Sequence, residues 1–247
     1  DHIRKTQPVA KVIPEDPNLF EPFWFISRYE DVMRISKDNQ AFLNNPKPVV
    51  FATKQATEFS RAATGANMLV DSLVVFDAPI HPKYRKLTQD WFMTRNLKRI
   101  EGEIRDLAAR TVDAMLAKGP ELDFVETVSG PYPLRVVMQI LGVPPEAAPR
   151  MQLLTQQLFG GQDADLSGTG MENMMPEQVV QLVAGAVQSF EGYFAQLAED
   201  RRANPTDDVA SVIANALVDG EPLPPRDMAG YYIIVATAGH DTTSAST

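Results

Sequence analysis

Asp227-Met-Ala-Gly-Tyr-Tyr-Ile-Ile-Val-Ala-Thr-Ala-Gly-His-Asp-Thr-Thr-Ser-Ala-Ser-Thr247 is the stretch that decides the fold. From Met228 to Gly239 it is apolar or small on every side, which a surface helix cannot be, so it reads as a helix through the middle of the molecule. Pro224, Pro225 and Asp227 supply its start. Proline suits a first helical turn, and an acid there complements the exposed N–H groups. No glycine cap or proline stops it, so helical character is expected through Thr247.

The end of this helix carries its chemistry, the run Ala238-Gly239-His240-Asp241-Thr242-Thr243. An acid and hydroxyls are costly in so apolar a segment unless they are hydrogen-bonded or used. Val235, Ala238, Gly239 and Thr242 share one face by helical spacing. That face is low and flat at Ala238 and Gly239, so a planar group could lie against it. Thr242 can bond back to the Ala238 carbonyl and open the helix locally. Asp241 beside Thr242 then forms the minimum of a proton relay into a dry pocket. The structural alternative has Thr242 and Thr243 satisfying backbone carbonyls and Asp241 pairing with an arginine. His240 turns away from the Gly239 face and is expected to act at most from behind it.

This run resembles the central-helix signature of the haem-thiolate monooxygenases, the cytochrome P450 superfamily. Upstream, Asp77-Ala78-Pro79-Ile80-His81-Pro82-Lys83-Tyr84-Arg85 followed by Trp91-Phe92 is similar to the start of that family's haem-binding helix. Leu122-Asp-Phe-Val125, Leu141-Gly-Val-Pro-Pro145 and Asp207-Asp-Val209 follow in the family's order. The likeness covers the whole chain and is nearest to soluble bacterial members of the terpineol-hydroxylase type.

The resemblance implies a mainly α fold with a small β region, and residues 1–247 as one part of a longer monooxygenase domain, incomplete at both ends. It implies haem (iron protoporphyrin IX), with His81 and Arg85 on a propionate and Ala238, Gly239 and Thr242 against the ring. Asp241 and Thr242 are the expected catalytic pair. Leu69, Val70, Leu158, Val235 and Ala238 are the expected substrate pocket, and Lys83, Lys86 and Lys98 the face for the redox partner. The implied reaction inserts one oxygen atom from O2 into a small hydrophobic substrate, a terpenoid or aromatic hydrocarbon. Electrons would come from a ferredoxin-type donor with its reductase. The family's iron is held by a cysteine thiolate, and this chain has no cysteine. That ligand is expected C-terminal to Thr247, the sequence being an incomplete record or a fragment. The alternative from another class is a non-catalytic helical binding module, or haem-free fragment, of this fold.

Composition is compatible with these expectations. The 247 residues, 44% hydrophobic and 22% charged, describe an ordinary globular chain. A formal net charge of -9 argues against general nucleic-acid binding and against anionic membranes. With no signal-peptide pattern and no uninterrupted apolar span, a cytoplasmic location is expected.

Val9 to Ile13 and Pro22 to Ile26 read as two short strands. Ser27 to Ile35 reads as a helix with Ser27 as N-cap and Glu30 completing a capping box. Asn44 to Phe76 reads as a long loop with short helical turns, its apolar residues (Phe51, Phe59, Met68, Leu69, Leu73, Val74) favouring a packed lid. By resemblance it roofs the pocket. His81 and Arg85, four apart, stack on one helix face as a donor pair suited to carboxylates. Lys83, Lys86, Arg95, Lys98 and Arg99 stand against one nearby acid, Asp90, so they form either a solvated face or a docking surface for an acidic donor.

Further helices are expected around Ile100 to Met115, from Pro133 to Gly142, from Pro145 to Phe159 with Leu153, Leu154, Leu158 and Phe159 as core or pocket wall, and through Val183, Val187, Phe190, Phe194 and Leu197. Thr206 is expected to cap one more, with Val209, Val212, Ile213, Ala216 and Leu217 inward and Gly220 at its end. Gly160 to Gly170 reads as loose and polar. No phosphate-binding glycine turn, zinc-ligand spacing or nucleophile elbow occurs.

Overall fold

In the computed structural model, which describes residues 2–45, 53–159 and 174–247, a short helix α1 (His2–Thr6) leads into an antiparallel pair, β1 (Val9–Val12) and β2 (Phe23–Ile26). Their register sets Val9 opposite Ile26 and Val12 opposite Phe23. Ser27 continues this pairing. Its N–H and hydroxyl both donate to the Pro8 carbonyl, at 3.0 and 3.2 Å, so it does not cap the next helix as expected. Helix α2 (Tyr29–Lys37) starts instead after Arg28, with no side-chain cap.

The segment expected to be loop holds a three-turn helix, α3 (Lys54–Thr64). Thr53 caps it by accepting the Ala56 N–H at 3.1 Å, and Gly65 ends it at a φ of 76°, a conformation that only glycine adopts readily. Its buried residues are Thr57 and Ser60, whose hydroxyls donate to nearby carbonyls. A buried face made of hydroxyls carries no apolar period, which is why the helix was not legible. Phe51 and the stretch Gly160 to Gly170 lie outside the described residues, as do the side chains of Phe159 and Asp241.

Helices α4 (Ile80–Gln89), α5 (Thr94–Ala117), α6 (Pro131–Leu141) and α7 (Ala148–Phe159) follow, with one turn of π-helix at Val125–Ser129 before α6. The long α8 (Pro176–Ala203) buries Val187, Phe190 and Phe194 as expected, together with Ala198, while Val183 and Leu197 are half-buried. On α7 Leu154 is buried, but Leu153 faces outward. Helix α9 (Val209–Ala214) is capped by Asp208, which accepts the Ser211 N–H at 2.7 Å, and not by Thr206, whose hydroxyl donates to that same aspartate. The helix is short because Asp219 and Gly220, with φ of 55° and 89°, turn a hairpin between β3 (Leu217–Val218) and β4 (Glu221–Pro222). Leu217, expected inward, is therefore an exposed strand residue.

Helix α10 (Pro225–Ala238) is the central one. Met228 through Ile233, Ala236 and Thr237 are buried. The Phe194 ring on α8 stacks between Phe190, 5.9 Å away, and Tyr232 of α10, 4.9 Å away. Such pairs add about 0.5–1.5 kcal/mol beyond their buried area, enough to matter in a fold stable by roughly 5–15 kcal/mol. Each buried tyrosine of α10 finds a partner: Tyr232 donates to the Ala210 carbonyl at 2.8 Å and Tyr231 to that of Tyr84 at 3.0 Å. The expected continuation to Thr247 is interrupted at Gly239, and only a short turn, α11 (Asp241–Ser244), follows. Among the described residues no helix is long and apolar enough to cross a membrane.

Candidate functional site

The first half of α10 is fixed beneath the segment that runs from α3 to α4. Glycine inside a helix costs about 1 kcal/mol relative to alanine, so Gly230 needs a reason. A Cβ there would stand 1.7 Å from the Asp71 carbonyl oxygen. The roof backbone thus lies directly on the helix. One turn earlier Arg226 donates to the Asp71 carboxylate at 2.9 Å and to the Met68 carbonyl, fastening the same segment by its side chain. Leu69 and Val70, between these anchors, are half-buried.

The second half of α10 is opened. At Gly239 (φ -86°, ψ -7°) the chain leaves the helix, and the His240 N–H donates to the Thr237 carbonyl at 3.2 Å. His240 is buried, its Nε2 3.0 Å from the Gly130 carbonyl. A carbonyl only accepts, so Nε2 carries the proton. The Thr242 hydroxyl donates across the break to the Ala238 carbonyl at 3.1 Å, the back-bond its spacing suggested. Ala238 and Thr242 are both exposed.

Of the face expected to accept a planar group, Ala238 and Thr242 remain together, while Val235 is half-buried against the core. Gly239 is small for another reason: a Cβ on it would stand 2.6 Å from Val137 Cγ2 of α6. The low shelf is therefore Ala238 with Thr242, and the Cβ side of Gly239 serves helix packing. Asp241 opens α11 beside this shelf.

Helix α4 crosses near the start of α10. The Tyr84 hydroxyl donates to Asp227 at 2.5 Å, and Thr88 and Tyr231 share a hydrogen bond of 2.8 Å. Burial, then the Asp227 carboxylate, push the Tyr84 phenol well above its ordinary range. His81, half-buried, and Arg85, exposed, lie one turn apart on the same helix. Before it, the Asp77 carboxylate accepts the N–H groups of Asn44 at 3.0 Å and Asn45 at 2.7 Å. These bonds, with His81 a smaller influence, hold its carboxyl below the usual value.

The basic face is narrower than its sequence suggested. Lys83 pairs with Asp219 of the β3–β4 turn at 2.5 Å, and Arg99 pairs with Asp207. Both acids come from the far end of the chain, so counting charges near in sequence missed them. Lys86 and Lys98 are exposed and enter no ion pair among the described residues.

A cavity of about 490 Å³ opens between α3, α8 and the first turns of α10. Leu69 lines it, together with Phe59, Phe194, Tyr232, Glu191 and Arg226. Val70, Leu158, Val235 and Ala238 do not: the first three pack on the core, and Ala238 sits on the shelf further along α10. Glu191 was missed by sequence reasoning. It falls four residues after Val187 on the inward face of α8, and an acid at that phase was its signal. Burial raises its carboxyl, and Arg226 partly opposes the shift.

No profile of a known protein family matches the chain. Among curated proteins it is 34% identical over 245 residues to cytochrome P450-terp of Pseudomonas sp, covering 99% of this chain and 56% of that protein. It is 32% identical over 222 residues to the methyl-branched lipid omega-hydroxylase of Mycobacterium tuberculosis (89% and 47%), and 27% identical over 248 residues to linalool 8-monooxygenase of Pseudomonas putida (96% and 57%). Among solved structures, CYP108D1 of Novosphingobium aromaticivorans superimposes with a TM-score of 0.84 at 56% identity, over 99% of this chain and 56% of that one. The chain spans about half the length of the curated relatives it matches.

Proposed function

Because the chain belongs to the cytochrome P450 superfamily, we propose that its fold serves a haem-dependent monooxygenase that hydroxylates a compact hydrophobic molecule in the cytoplasm, with O2 and electrons from a ferredoxin-type donor and its reductase. The observation that carries this reading is the opened turn of α10, where Thr242 holds the Ala238 carbonyl across the break and both residues face outward.

The residues present fit the cofactor. Arg85 is exposed and unpaired among the described residues, with His81 one turn before it, so α4 offers two donors to a propionate. Ala238 and Thr242 offer a low shelf for the ring. Haem, when bound, would supply the iron at which dioxygen is activated, and the chain has no cysteine of its own to hold that iron. The chain's own residues exclude water and move protons. Thr242 has its hydrogen engaged on Ala238 and keeps lone pairs with which to accept a hydrogen bond, and Asp241 beside it supplies the exchangeable proton.

The substrate class is read from the cations among the described roof residues. Lys54 pairs with Glu21, Arg61 donates through Nε to the Asn67 side chain at 2.6 Å, and Arg226 is engaged on Asp71 and Met68, so each of these cations already has a partner. Relatives named for linalool and for methyl-branched lipids support an apolar substrate. Lys86 and Lys98 are the cations best placed to meet an acidic donor. Spectral titration of the haem-loaded protein that contains this chain decides the class: compact terpenoids or aromatic hydrocarbons should bind tightly, and tight binding of fatty acids alone would overturn it.

A further inference from the structure

The cavity between α3, α8 and α10 lies apart from the Ala238–Thr242 shelf. Tyr232, the α10 lining residue nearest the shelf in sequence, is about 9 Å along the helix axis from Ala238. At about 490 Å³ it falls within the range of small-molecule sites, roughly 300–1,000 Å³. Its walls are mainly apolar, with Phe59 and Leu69 on the roof side and Phe194 on α8.

The polar groups on these walls are unequally engaged. The Tyr232 hydroxyl donates to Ala210, that of Thr64 to Ser60, and the Arg226 guanidinium to Asp71 and Met68. Glu191 is half-buried and has no hydrogen bond or ion pair among the described residues. An ionised carboxylate only accepts. A hydrocarbon in this cavity would strip water from it without replacing the lost hydrogen bonds, which is costly. An anion would meet a like charge, and a cation would meet Arg226 on the same wall. A neutral molecule with one donor satisfies every constraint.

We propose that this cavity is a second small-molecule site that takes a neutral apolar compound bearing a hydroxyl group, its body against Phe59, Leu69 and Phe194 and its hydroxyl donating to Glu191. The site does not depend on haem. It selects an alcohol over a hydrocarbon of the same skeleton.

Limonene and carveol, one carbon skeleton without and with a hydroxyl, are the probes. Calorimetric titration of the haem-loaded protein that contains this chain reads their affinities, with the haem absorbance followed in parallel to report the other site separately. Wild type should bind carveol about tenfold or more tightly than limonene, the worth of one hydrogen bond to a charged group. Glu191→Leu should abolish that preference, weakening carveol by loss of its acceptor and strengthening limonene by removal of the carboxylate it would strip of water. Ala63→Trp, at the exposed rim, should weaken both compounds. A preference for carveol that survives Glu191→Leu, or carveol binding untouched by Ala63→Trp, would overturn the site whatever the haem spectrum does.

Discussion

Gly230 of the central helix carries the Asp71 carbonyl directly on its backbone, so that a Cβ at position 230 would stand 1.7 Å from that oxygen. Alanine for glycine inside a helix ordinarily stabilises by about 0.4–1 kcal/mol. Here the roof must lift. Gly230→Ala should destabilise by about 1–3 kcal/mol, as overpacking does, and expose residues 66–75 to limited proteolysis. Denaturant unfolding checks the sign, and a stabilised variant would contradict the contact.

A second prediction concerns Asp208, which accepts from Arg201 at 2.7 Å, from Thr206 at 2.6 Å and from the Ser211 N–H at 2.7 Å. Arg201 also donates to the Gly142 carbonyl, where a Cβ would meet Asp208, so three segments close on one carboxylate. Asp208→Ala removes one of two carboxylates from a largely buried guanidinium, Asp200 remaining on it, and leaves the Ser211 N–H uncapped; urea unfolding should show a loss of about 1–3 kcal/mol.

The same group sets an acid dependence. Burial raises the Asp208 carboxyl, but the hydrogen bonds from Thr206, Ser211 and Arg201 outweigh it and hold it below its ordinary 3.8. A depressed folded pKa contributes stability that is present above the unfolded value and is lost as pH falls through the folded one. Urea unfolding should therefore show stability falling as the pH drops below about 4, and Asp208→Asn should flatten part of that fall. An unchanged acid limb in Asp208→Asn would remove Asp208 as its source.

Charge reversal tests the docking face. Because Lys83 already pairs with Asp219, Lys86→Glu and Lys98→Glu should slow reduction by an acidic donor and weaken its salt dependence more than Lys83→Glu does. Stopped-flow reduction across ionic strength measures this. Equal rates in all variants would make the face a solvated surface only.

Thr242→Ala should leave substrate binding nearly unchanged while uncoupling electron use from product, and Asp241→Asn should slow turnover. The ratio of product formed to reduced nicotinamide consumed is the readout. Normal coupling in Thr242→Ala would assign that hydroxyl to its bond with Ala238 alone.

What could be read from the sequence was whatever depends on neighbours a few residues away. Pro225 and Asp227 placed the start of α10, and Val187, Phe190 and Phe194 placed the inward face of α8. Thr242 and Ala238, four apart, gave their own bond. The misreadings were set by distant parts of the chain. Ser27 looks like a cap until Pro8 is folded beside it, and Lys83 looks unpaired until Asp219 arrives from 136 residues away. The smallness of Gly239 also serves Val137, which lies on its Cβ side and comes from another helix. Helix α3 was hidden because its buried face is made of hydroxyls. Glu191 gains its meaning only from a cavity that three helices enclose.

The proposal that this chain belongs to a haem-thiolate monooxygenase stands or falls with the absorption spectrum of the reduced carbonyl complex of the protein that contains it. The red-shifted band of thiolate-bound haem is expected, with haem retention lowered by Arg85→Ala. Absence of haem uptake, or the band of an imidazole-bound haem, would contradict it.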